Sequence, residues 1–297
     1  MAIRRDLRAA LCSARNAVLT DKILILGSSG PISSALAARY ANRAILLGRG
    51  PRANHYFDLE HSNTFGVLSR IRARHAVFLS ALTGFKPCED DPYRAFKINV
   101  RKTSEAVAVL NAIGIPVTFL SSSAVFGKRD SEKNEQALTH PESVYGTAKM
   151  LAERDILSTP KSGNSVVRLT KVFDKNLPIF RQWRESVQTE NKIVALKALR
   201  LAPLPLSFVI DHLERIIEGR VEGVTHLTSD KDLSYYELAK ALFPNALVIA
   251  EDETAALAGF TGETVLAVRH AESEVFDLRL CVKRIKAEMA DASTGHP

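Results

Sequence analysis

Ile23-Leu24-Ile25-Leu26-Gly27-Ser28-Ser29-Gly30 is an apolar run that passes directly into a glycine turn. The four apolar residues predict a short buried strand. Gly27 permits a tight turn after that strand, and Gly30 lets the backbone come close to a pyrophosphate at the N-terminus of a helix starting near Pro31. An ordinary strand-to-helix turn is the alternative, because a lone glycine pair is weakly specific.

Outward from this run, apolar stretches of strand length alternate with helical patterns as far as Phe173. This alternation is typical of right-handed βαβ units and a parallel sheet. The predicted strands cover residues 23–26, 44–47, 56–59, 76–79, 117–120 and 166–169.

Two helices in this part of the chain are marked by signals at their ends. Asp91 can cap the first, Pro92 fits its first turn, and Gly114 ends it. The second is predicted to start after residues 141–143 and to stop before Pro160.

Beyond Phe173 the alternation stops, and helical stretches near residues 177–190, 207–218 and 234–242 dominate, with one late strand near 225–228. The sequence therefore predicts an α/β fold, a Rossmann-like doubly wound parallel sheet with a smaller, mostly helical C-terminal substrate lobe. We expect residues 1–20 to form an N-terminal extension and 21–173 the dinucleotide-binding Rossmann domain. Residues 174–297 are expected to form a substrate-binding lobe interleaved with the main domain.

The pattern Tyr-x-x-x-Lys occurs three times, at Tyr93/Lys97, Tyr145/Lys149 and Tyr236/Lys240. A tyrosine and a lysine four residues apart share a helix face, which usually means only a solvated polar stripe. The middle copy differs because the predicted strand 117–120 delivers three serines, residues 121–123, to its C-terminal end. Ligands of open parallel sheets bind at that edge. We therefore predict that Ser122, Tyr145 and Lys149 form a proton-transfer set.

The chemistry of this set follows from its side chains. An ammonium close to a tyrosine favours the phenolate, so we expect Lys149 to lower the pKa of Tyr145. Tyr145 would exchange a proton with a substrate oxygen, while Ser122 donates a hydrogen bond to the same oxygen. Ser123 is the second candidate for that role, and Ser121 is expected to be structural. The hydride is carried by the cofactor.

The residue after the second predicted strand bears on the choice of cofactor. That strand ends in Leu47-Gly48-Arg49, where an acidic residue that would grip the ribose hydroxyls of NAD is missing. An arginine at this place favours the 2′-phosphate of NADP. NADP is therefore the preferred cofactor and NAD the alternative, since Arg49 also fits the description of a solvated loop cation.

Composition limits the remaining classes of function. The chain has 297 residues, 46% hydrophobic content and a formal net charge of +7, with its basic residues scattered. We predict no nucleic-acid partner, because the basic residues form no recognised nucleic-acid motif. We predict no membrane span, because no apolar stretch approaches the roughly 20 residues a span needs. A cytoplasmic location is expected because the cysteines suit a reducing compartment. The three cysteines, Cys12, Cys88 and Cys281, are widely separated, so neither a disulfide nor a metal site is expected.

Several motifs in order along the chain carry a family resemblance. The motifs are Gly27-x-x-Gly30, Asp58-Leu59, Ser80-Ala81-Leu82-Thr83, Asn99, Ser122-x-x-Val125-Phe126-Gly127 and Tyr145-x-x-x-Lys149. This pattern resembles the extended short-chain dehydrogenase/reductases, the NAD-dependent epimerase/dehydratase group that acts on nucleotide sugars. Together with Cys88-Glu89 and Ala95-x-x-x-Asn99, it is most similar to the dTDP-4-dehydrorhamnose reductase-like branch. The resemblance covers about residues 22–242.

The resemblance implies roles for individual residues. The implied cofactor contacts, besides Arg49, are Gly27, Ser28, Ser29, Gly30, Pro31, Ile32, Asp58, Leu59, Ser80, Ala81, Leu82, Asn99, Tyr145 and Lys149. Ser123 and Lys171 are the implied substrate contacts. Three residues depart from the family pattern: Ser33 replaces a third glycine, Phe126 replaces a commoner tyrosine, and Lys102 stands where a small residue is usual.

The function expected from residues and resemblance together is an NAD(P)-dependent oxidoreductase acting on a nucleotide-linked sugar, as in polysaccharide biosynthesis. Reduction of a 4-keto-sugar through the Ser-Tyr-Lys set is the first interpretation. An epimerase or dehydratase using the same residues is the enzymatic alternative, and a non-catalytic protein that binds NADP or a sugar nucleotide is the alternative from another class. The resembled family often pairs two long helices, so a homodimer is a further expectation.

Overall fold

The computed structural model describes residues 20–127, 133–159, 162–251, 266 and 273–291. All but the last residue of the expected N-terminal extension, and with it Cys12, lies outside this part of the chain. The chain divides into two compact units. The first comprises Met1–Gly127, Thr139–Arg168 and Ile210–Thr225, and the second comprises Lys128–Leu138, Leu169–Val209 and His226–Pro297.

The elements of the described ranges are numbered here in chain order. The strands are β1 (Ile23–Leu26), β2 (Ala44–Gly48), β3 (His55–Tyr56), β4 (His75–Phe78), β5 (Val117–Ser122), β6 (Ser165–Leu169), β7 (Lys171–Phe173), β8 (Lys192–Leu196), β9 (Arg200–Leu201), β10 (Pro203–Pro205), β11 (Gly223–Ser229), β12 (Leu233–Ser234), β13 (Leu247–Glu251) and β14 (Glu274–Phe276). The α-helices are α1 (Pro31–Tyr40), α2 (Thr64–Leu68), α3 (Phe85–Asp90), α4 (Pro92–Phe96), α5 (Thr103–Ala112), α6 (Val144–Leu157), α7 (Pro178–Glu190), α8 (Leu206–Gly219), α9 (Tyr235–Leu242) and α10 (Leu278–Asp291).

The first unit is built on a parallel sheet. Six strands of the main sheet follow one another in the order β6-β5-β4-β1-β2-β3. Leu26 of β1 pairs with Leu47 on one side and with Phe78 on the other, both in parallel register. The strand order reverses between β1 and β4, and a crevice for a ligand lies beyond the carboxyl ends of the strands at such a switch point.

The predicted strands and fold class are confirmed, with one shortened element. Sequence reasoning placed the third strand over residues 56–59, whereas β3 covers only His55–Tyr56. Phe57 still donates its backbone N–H to the Gly48 carbonyl of β2 at 3.0 Å, and Phe57 and Leu59 then join the hydrophobic core. The apolar residues of this segment therefore indicate buried side chains and not a strand.

The stretch from α4 to α5 contains an irregularity that the sequence did not predict. The Asp91 side chain caps α4 by accepting a hydrogen bond from the backbone N–H of Arg94 at 3.0 Å, as expected. Gly114, with φ of 81°, follows the end of α5, also as expected. Between the two helices, Lys97–Lys102 forms a π-helical segment. Such segments frequently occur at functional sites, and this one contains Asn99.

The second unit holds two of the three predicted helices and more strands than predicted, whereas α8 belongs to the first unit from Ile210 onward. The helices α7 and α9 lie where helical patterns were read, and Ser234 and Glu237 form a complete capping box for α9. Sequence reasoning expected one late strand, whereas β11 is accompanied by the parallel pairs β7/β10, β8/β13 and β11/β14 and the antiparallel pair β9/β12.

An aromatic core holds the second unit together. Trp183 is buried, and its ring lies 5.9 Å from that of Phe180 and 6.3 Å from that of Tyr235. Cys281 is buried with a free thiol, as is Cys88 in the first unit. Within the described ranges, no helix combines the length and apolar character needed to cross a membrane.

A buried hydrogen-bonded chain joins three neighbouring strands of the first unit near their N-terminal ends. The ring Nε2 of His75 lies 2.7 Å from the Thr118 hydroxyl, which lies 2.8 Å from the Ser165 hydroxyl. Burial, assisted by repulsion from Arg74 and Arg220, lowers the pKa of His75 to about 4. The ring is therefore neutral in the folded protein at neutral pH.

We expect the unfolding free energy to fall as the pH drops from 6.5 to about 4, because over this interval the unfolded chain takes up a proton that folded His75 refuses. The loss attributable to His75 is about 3 kcal/mol. Urea unfolding at several pH values measures it against a His75→Gln variant, which cannot titrate. An equal pH dependence in both proteins contradicts this assignment.

Candidate active site

The glycine turn after β1 is packed too tightly for other residues. Gly27 has φ of 111°, and a Cβ there would lie 3.1 Å from the backbone nitrogen of Ser80. Gly30 caps α1 without a side chain, which leaves the first backbone N–H groups of that helix open to a ligand. Ser33, in place of the third glycine, is buried and turns its hydroxyl back to donate to the Gly30 carbonyl at 2.7 Å.

Ser28 supplies a buried polar atom at the same turn. Its hydroxyl is buried, and within the described part of the chain it has no hydrogen-bond partner. A Cβ on Gly48 would lie only 2.2 Å from that hydroxyl, so the backbone at the end of β2 lies directly against Ser28. An unsatisfied buried hydroxyl beside an open helix N-terminus fits the oxygens of a phosphate.

The loop after β2 brings together charged groups that the sequence did not connect. The Arg49 guanidinium is exposed, with Nη1 3.9 Å from Oδ2 of Asp58. Burial raises the pKa of Asp58, but hydrogen bonds from the Glu60 backbone and from His61, with the Arg49 charge, outweigh it and the net pKa is lowered. Arg52 donates to the Ser34 hydroxyl at 2.6 Å and is thereby tied to the first turn of α1.

The Asn99 side chain holds the loop after β4 through two hydrogen bonds. Its amide oxygen accepts from the Leu82 backbone N–H at 2.7 Å, and its amide nitrogen donates to the Leu82 carbonyl at 2.9 Å. The side chain is 2% exposed. Asn99 therefore fixes the segment that contains the predicted contacts Ser80, Ala81 and Leu82, and its own contact with a cofactor stays a prediction.

Helix α6 carries Tyr145 and Lys149 to the end of β5. Ser143 caps the helix by accepting from the Gly146 backbone N–H at 3.0 Å. A Cβ on Gly146 would lie 2.1 Å from the Ala124 carbonyl oxygen, so only glycine lets the first turn of α6 come this close to the segment after β5.

Lys149 is held in a buried position beneath the tyrosine. Its Nζ donates to the Leu120 carbonyl at 2.8 Å and lies 4.4 Å from the centre of the Phe119 ring and 5.9 Å from that of the Tyr145 ring. Burial lowers the pKa of Lys149 to about 8, against the opposing effects of Glu153 and Cys88. The ammonium and neutral forms are therefore both accessible near neutral pH.

The expected lowering of the Tyr145 pKa is wrong for the protein without a bound ligand. Burial, together with Cys88, raises the pKa of Tyr145 to about 12, while a hydrogen bond with the Ser122 side chain acts in the opposite direction. Desolvation of the phenolate outweighs the Ser122 hydrogen bond, because the residue is largely withdrawn from water. Tyr145 is accordingly protonated at neutral pH.

The three serines at the end of β5 have different surroundings. The Ser122 hydroxyl accepts from the Ala124 backbone N–H at 3.2 Å and also meets Tyr145. Ser123 opens a 3₁₀ turn directly after the strand. Ser121 is buried, and its hydroxyl makes no hydrogen bond within the described ranges.

Two further features of the sequence have a structural explanation. Glu153 and Arg168 form a buried ion pair at 2.8 Å, and the Arg168 guanidinium lies 5.1 Å from the centre of the Phe126 ring. A phenylalanine at position 126 therefore serves as a packing surface for this cation. Lys102 pairs with Glu105 at 3.0 Å.

Lys171 lies in β7 of the second unit, where desolvation lowers its pKa.

The first unit thus has the architecture of a dinucleotide-binding Rossmann fold. The family described as RmlD substrate binding domain matches residues 21–275, and the chain belongs to it. This assignment confirms the resemblance to the extended short-chain dehydrogenase/reductases of the dTDP-4-dehydrorhamnose reductase-like branch.

Two relatives match most of the chain at low identity. A dTDP-4-dehydrorhamnose reductase from Aggregatibacter actinomycetemcomitans is 23% identical over 250 residues, 76% of this chain and 79% of that protein. The methionine adenosyltransferase 2 subunit beta of Bos taurus is 23% identical over 247 residues, 74% of this chain and 71% of that protein. The first is named for a reductase and the second for a subunit of another enzyme.

Solved structures share the fold. A dTDP-4-dehydrorhamnose reductase from Yersinia enterocolitica superposes with a TM-score of 0.79 at 16% identity, covering 91% of this chain and 100% of that one. A dTDP-4-dehydrorhamnose reductase from Bacillus anthracis in complex with NADP gives 0.73 at 16% identity, covering 92% and 99%.

We expect Asn99→Ala to destabilise the first unit by about 1–3 kcal/mol, because the Leu82 backbone N–H loses its partner and the Leu82 carbonyl keeps only its 3.5 Å contact with the Cys88 thiol, in a partly buried place. Urea unfolding measures the change. Asn245→Ala, at an exposed position, is the matched control and is expected to stay within about 0.5 kcal/mol of the parent. Equal stability of the two variants would show that the Asn99 contacts contribute little.

Proposed function

We propose that the protein is an NADP-dependent reductase of a nucleotide-linked 4-keto-sugar. The observation that carries the proposal is the grouping of Ser122, Tyr145 and Lys149 at the carboxyl end of β5, in the unit that also contains the glycine turn. Tyr145 can give a proton, Ser122 can donate a hydrogen bond and Lys149 can carry a positive charge. Carbonyl reduction uses all three properties.

Tyr145 is present in the protonated form that carbonyl reduction requires. Its pKa of about 12 keeps the hydroxyl protonated at neutral pH, so it can give a proton to a carbonyl oxygen. NADPH, when bound, supplies the hydride. Ser122 donates a hydrogen bond to the same oxygen and limits the charge that develops there. The ammonium form of Lys149, 5.9 Å from the ring, stabilises the tyrosinate left after proton transfer.

The residues of the first unit fit a dinucleotide. Gly27, Ser28 and Gly30 with the N-terminus of α1 would hold the pyrophosphate, because the turn is open there and the Ser28 hydroxyl lacks a partner among the described residues. Arg49 and Arg52 would hold a 2′-phosphate. Asp58, beside Arg49, would repel that phosphate, which keeps NAD as the alternative cofactor.

A second candidate function is that of a binding protein without turnover. It is favoured by the relatives named as methionine adenosyltransferase 2 subunit beta, which cover much of the same chain. An epimerase or dehydratase with the same three residues is the alternative within the enzymatic class. Lys171 stays a proposed substrate contact in each case.

We expect Tyr145→Phe to lower kcat by at least about 100-fold while NADPH binding stays within about threefold, because only the transferred proton is lost. Absorbance of the nicotinamide is followed on addition of a panel of nucleotide-4-keto-sugars, after a fluorescence titration with NADPH and NADH. Tyr93→Phe, at a position 77% exposed, is the control and should leave kcat unchanged.

The panel also separates the candidates. Oxidation of NADPH by one sugar in the parent, lost in Tyr145→Phe, supports the reductase. Binding of NADPH without oxidation by any sugar favours an epimerase, a dehydratase or a binding protein. Absence of binding for both cofactors contradicts the dinucleotide site itself.

We expect Arg49→Ala and Arg52→Ala each to weaken NADPH binding by about tenfold or more and to leave NADH binding nearly unchanged, because each removes a charged donor to the 2′-phosphate alone. Fluorescence titration with both cofactors measures the ratio. Arg70→Ala, an exposed arginine of the same unit, is the control. A parallel loss for NADH would place these arginines outside the 2′-phosphate site.

A further inference from the structure

Helix α3 lies directly over the tyrosine of the proposed active site. The Phe85 ring is 5.4 Å from the Tyr145 ring, centre to centre, with an angle of 55° between the planes. Cys88, one turn further along α3, is fully buried, and its thiol interacts electrostatically with both Tyr145 and Lys149. We propose that α3, through Phe85 and Cys88, is a positioning element that holds the Tyr145 ring and keeps water away from its hydroxyl.

Three anchors fix α3 in this place. The helix follows Gly84, whose φ of 93° turns the chain into it. The Cys88 thiol donates to the Leu82 carbonyl at 3.5 Å, and Leu82 is itself held by Asn99. At the other end, the Glu89 carboxylate accepts from the Val144 backbone N–H at 2.7 Å, one residue before Tyr145. Glu89 therefore joins α3 to the first turn of α6.

The anchors form a continuous connection from the π-helical segment to α6. Asn99 connects the π-helical segment to Leu82, Leu82 connects to α3, and α3 connects to α6. A rigid body of this kind fixes the tyrosine without touching its hydroxyl, since Phe85 covers the ring. Phe85 is accordingly a positioning residue rather than a catalytic one.

Burial has a larger effect on the pKa of Tyr145 than the charged groups around it. The groups that act on it are Cys88 from α3 and the Ser122 hydroxyl from β5, with Lys149 below the ring. Glu153, further along α6, acts on Lys149. Most cations of the elements packed against α6 pair elsewhere: Lys86 with Asp90, Arg94 and Lys97 with Glu60, and Lys102 with Glu105, while Arg101 is exposed. Removal of the Phe85 ring therefore changes hydration of Tyr145 more than its charge environment.

The decisive measurement is a titration of tyrosinate absorbance in the ligand-free protein. The signal of Tyr145 is isolated by subtracting the matching Tyr145→Phe variant. In the Phe85→Ala protein we expect Tyr145 to ionise at a pH lower by about one unit than in the parent, because water reaches the phenolate. Phe85→Leu keeps an apolar cover and should restore the parent behaviour. Ionisation of Tyr145 at the parent pH in Phe85→Ala overturns the inference.

A second variant covers the case in which Phe85→Ala does not fold. Glu89 is exposed, so Glu89→Ala loosens the tie between α3 and α6 without opening the core. We expect a shift in the same direction and of smaller size. Unchanged ionisation of Tyr145 in this variant, with circular dichroism like the parent, counts against α3 as the positioning element.

A role of α3 in catalysis rests on the proposed function, whereas the shielding of Tyr145 by α3 is tested independently of it. If the protein reduces a sugar, the fall of kcat at high pH should move to lower pH in Phe85→Ala, while KM for NADPH stays within about twofold. An unmoved pH profile in an active Phe85→Ala enzyme contradicts a role in catalysis. If no sugar is reduced, the ligand-free titration still decides whether α3 shields Tyr145.

Discussion

The close approach of α6 to the segment after β5 is the constraint on which the proposed site depends. Gly146 faces the Ala124 carbonyl oxygen at a distance that leaves no room for a Cβ, and Ser143 closes the first turn of the helix at the same point. Because backbone meets backbone here, Tyr145 and Lys149 have defined positions beside the serines of β5. The Leu120 carbonyl of β5 accepts a hydrogen bond from the Lys149 ammonium, which fixes that side chain.

Burial at this place has opposite consequences for its two titratable side chains. It raises the pKa of Tyr145 to about 12 and lowers that of Lys149 to about 8, so both groups are shifted toward their neutral forms. A neutral tyrosine is a proton donor, and a lysine with this pKa changes its charge near neutral pH. Desolvation therefore favours a site that gives a proton over one that removes it. The packing of Phe85 from α3 against the Tyr145 ring works in the same direction.

Much of the fold was predictable because its signals are local. The run into Gly27, the cap at Asp91 and the start of α6 each depend on neighbouring residues, and all three occur as predicted. The strands β8 and β13 were missed because they lie outside the part of the chain where strands and helices alternate, and a short apolar run there cannot be told from a helix segment by its periodicity. The pKa of Tyr145 was mispredicted for a related reason, since desolvation depends on the packing of Phe85 and Cys88 from another helix.

The same distinction separates the parts of the proposed site. A sequence motif identifies residues that share one element, such as Tyr145 and Lys149 on α6, because their spacing alone brings them together. It does not reveal that Asn99 binds Leu82, or that Arg52 reaches Ser34, since those pairs meet only after the sheet has formed. The contacts between elements determine how the motif residues are hydrated and held. Chemical specificity within one fold family is therefore expected to lie in such contacts, since the same fold carries different reactions.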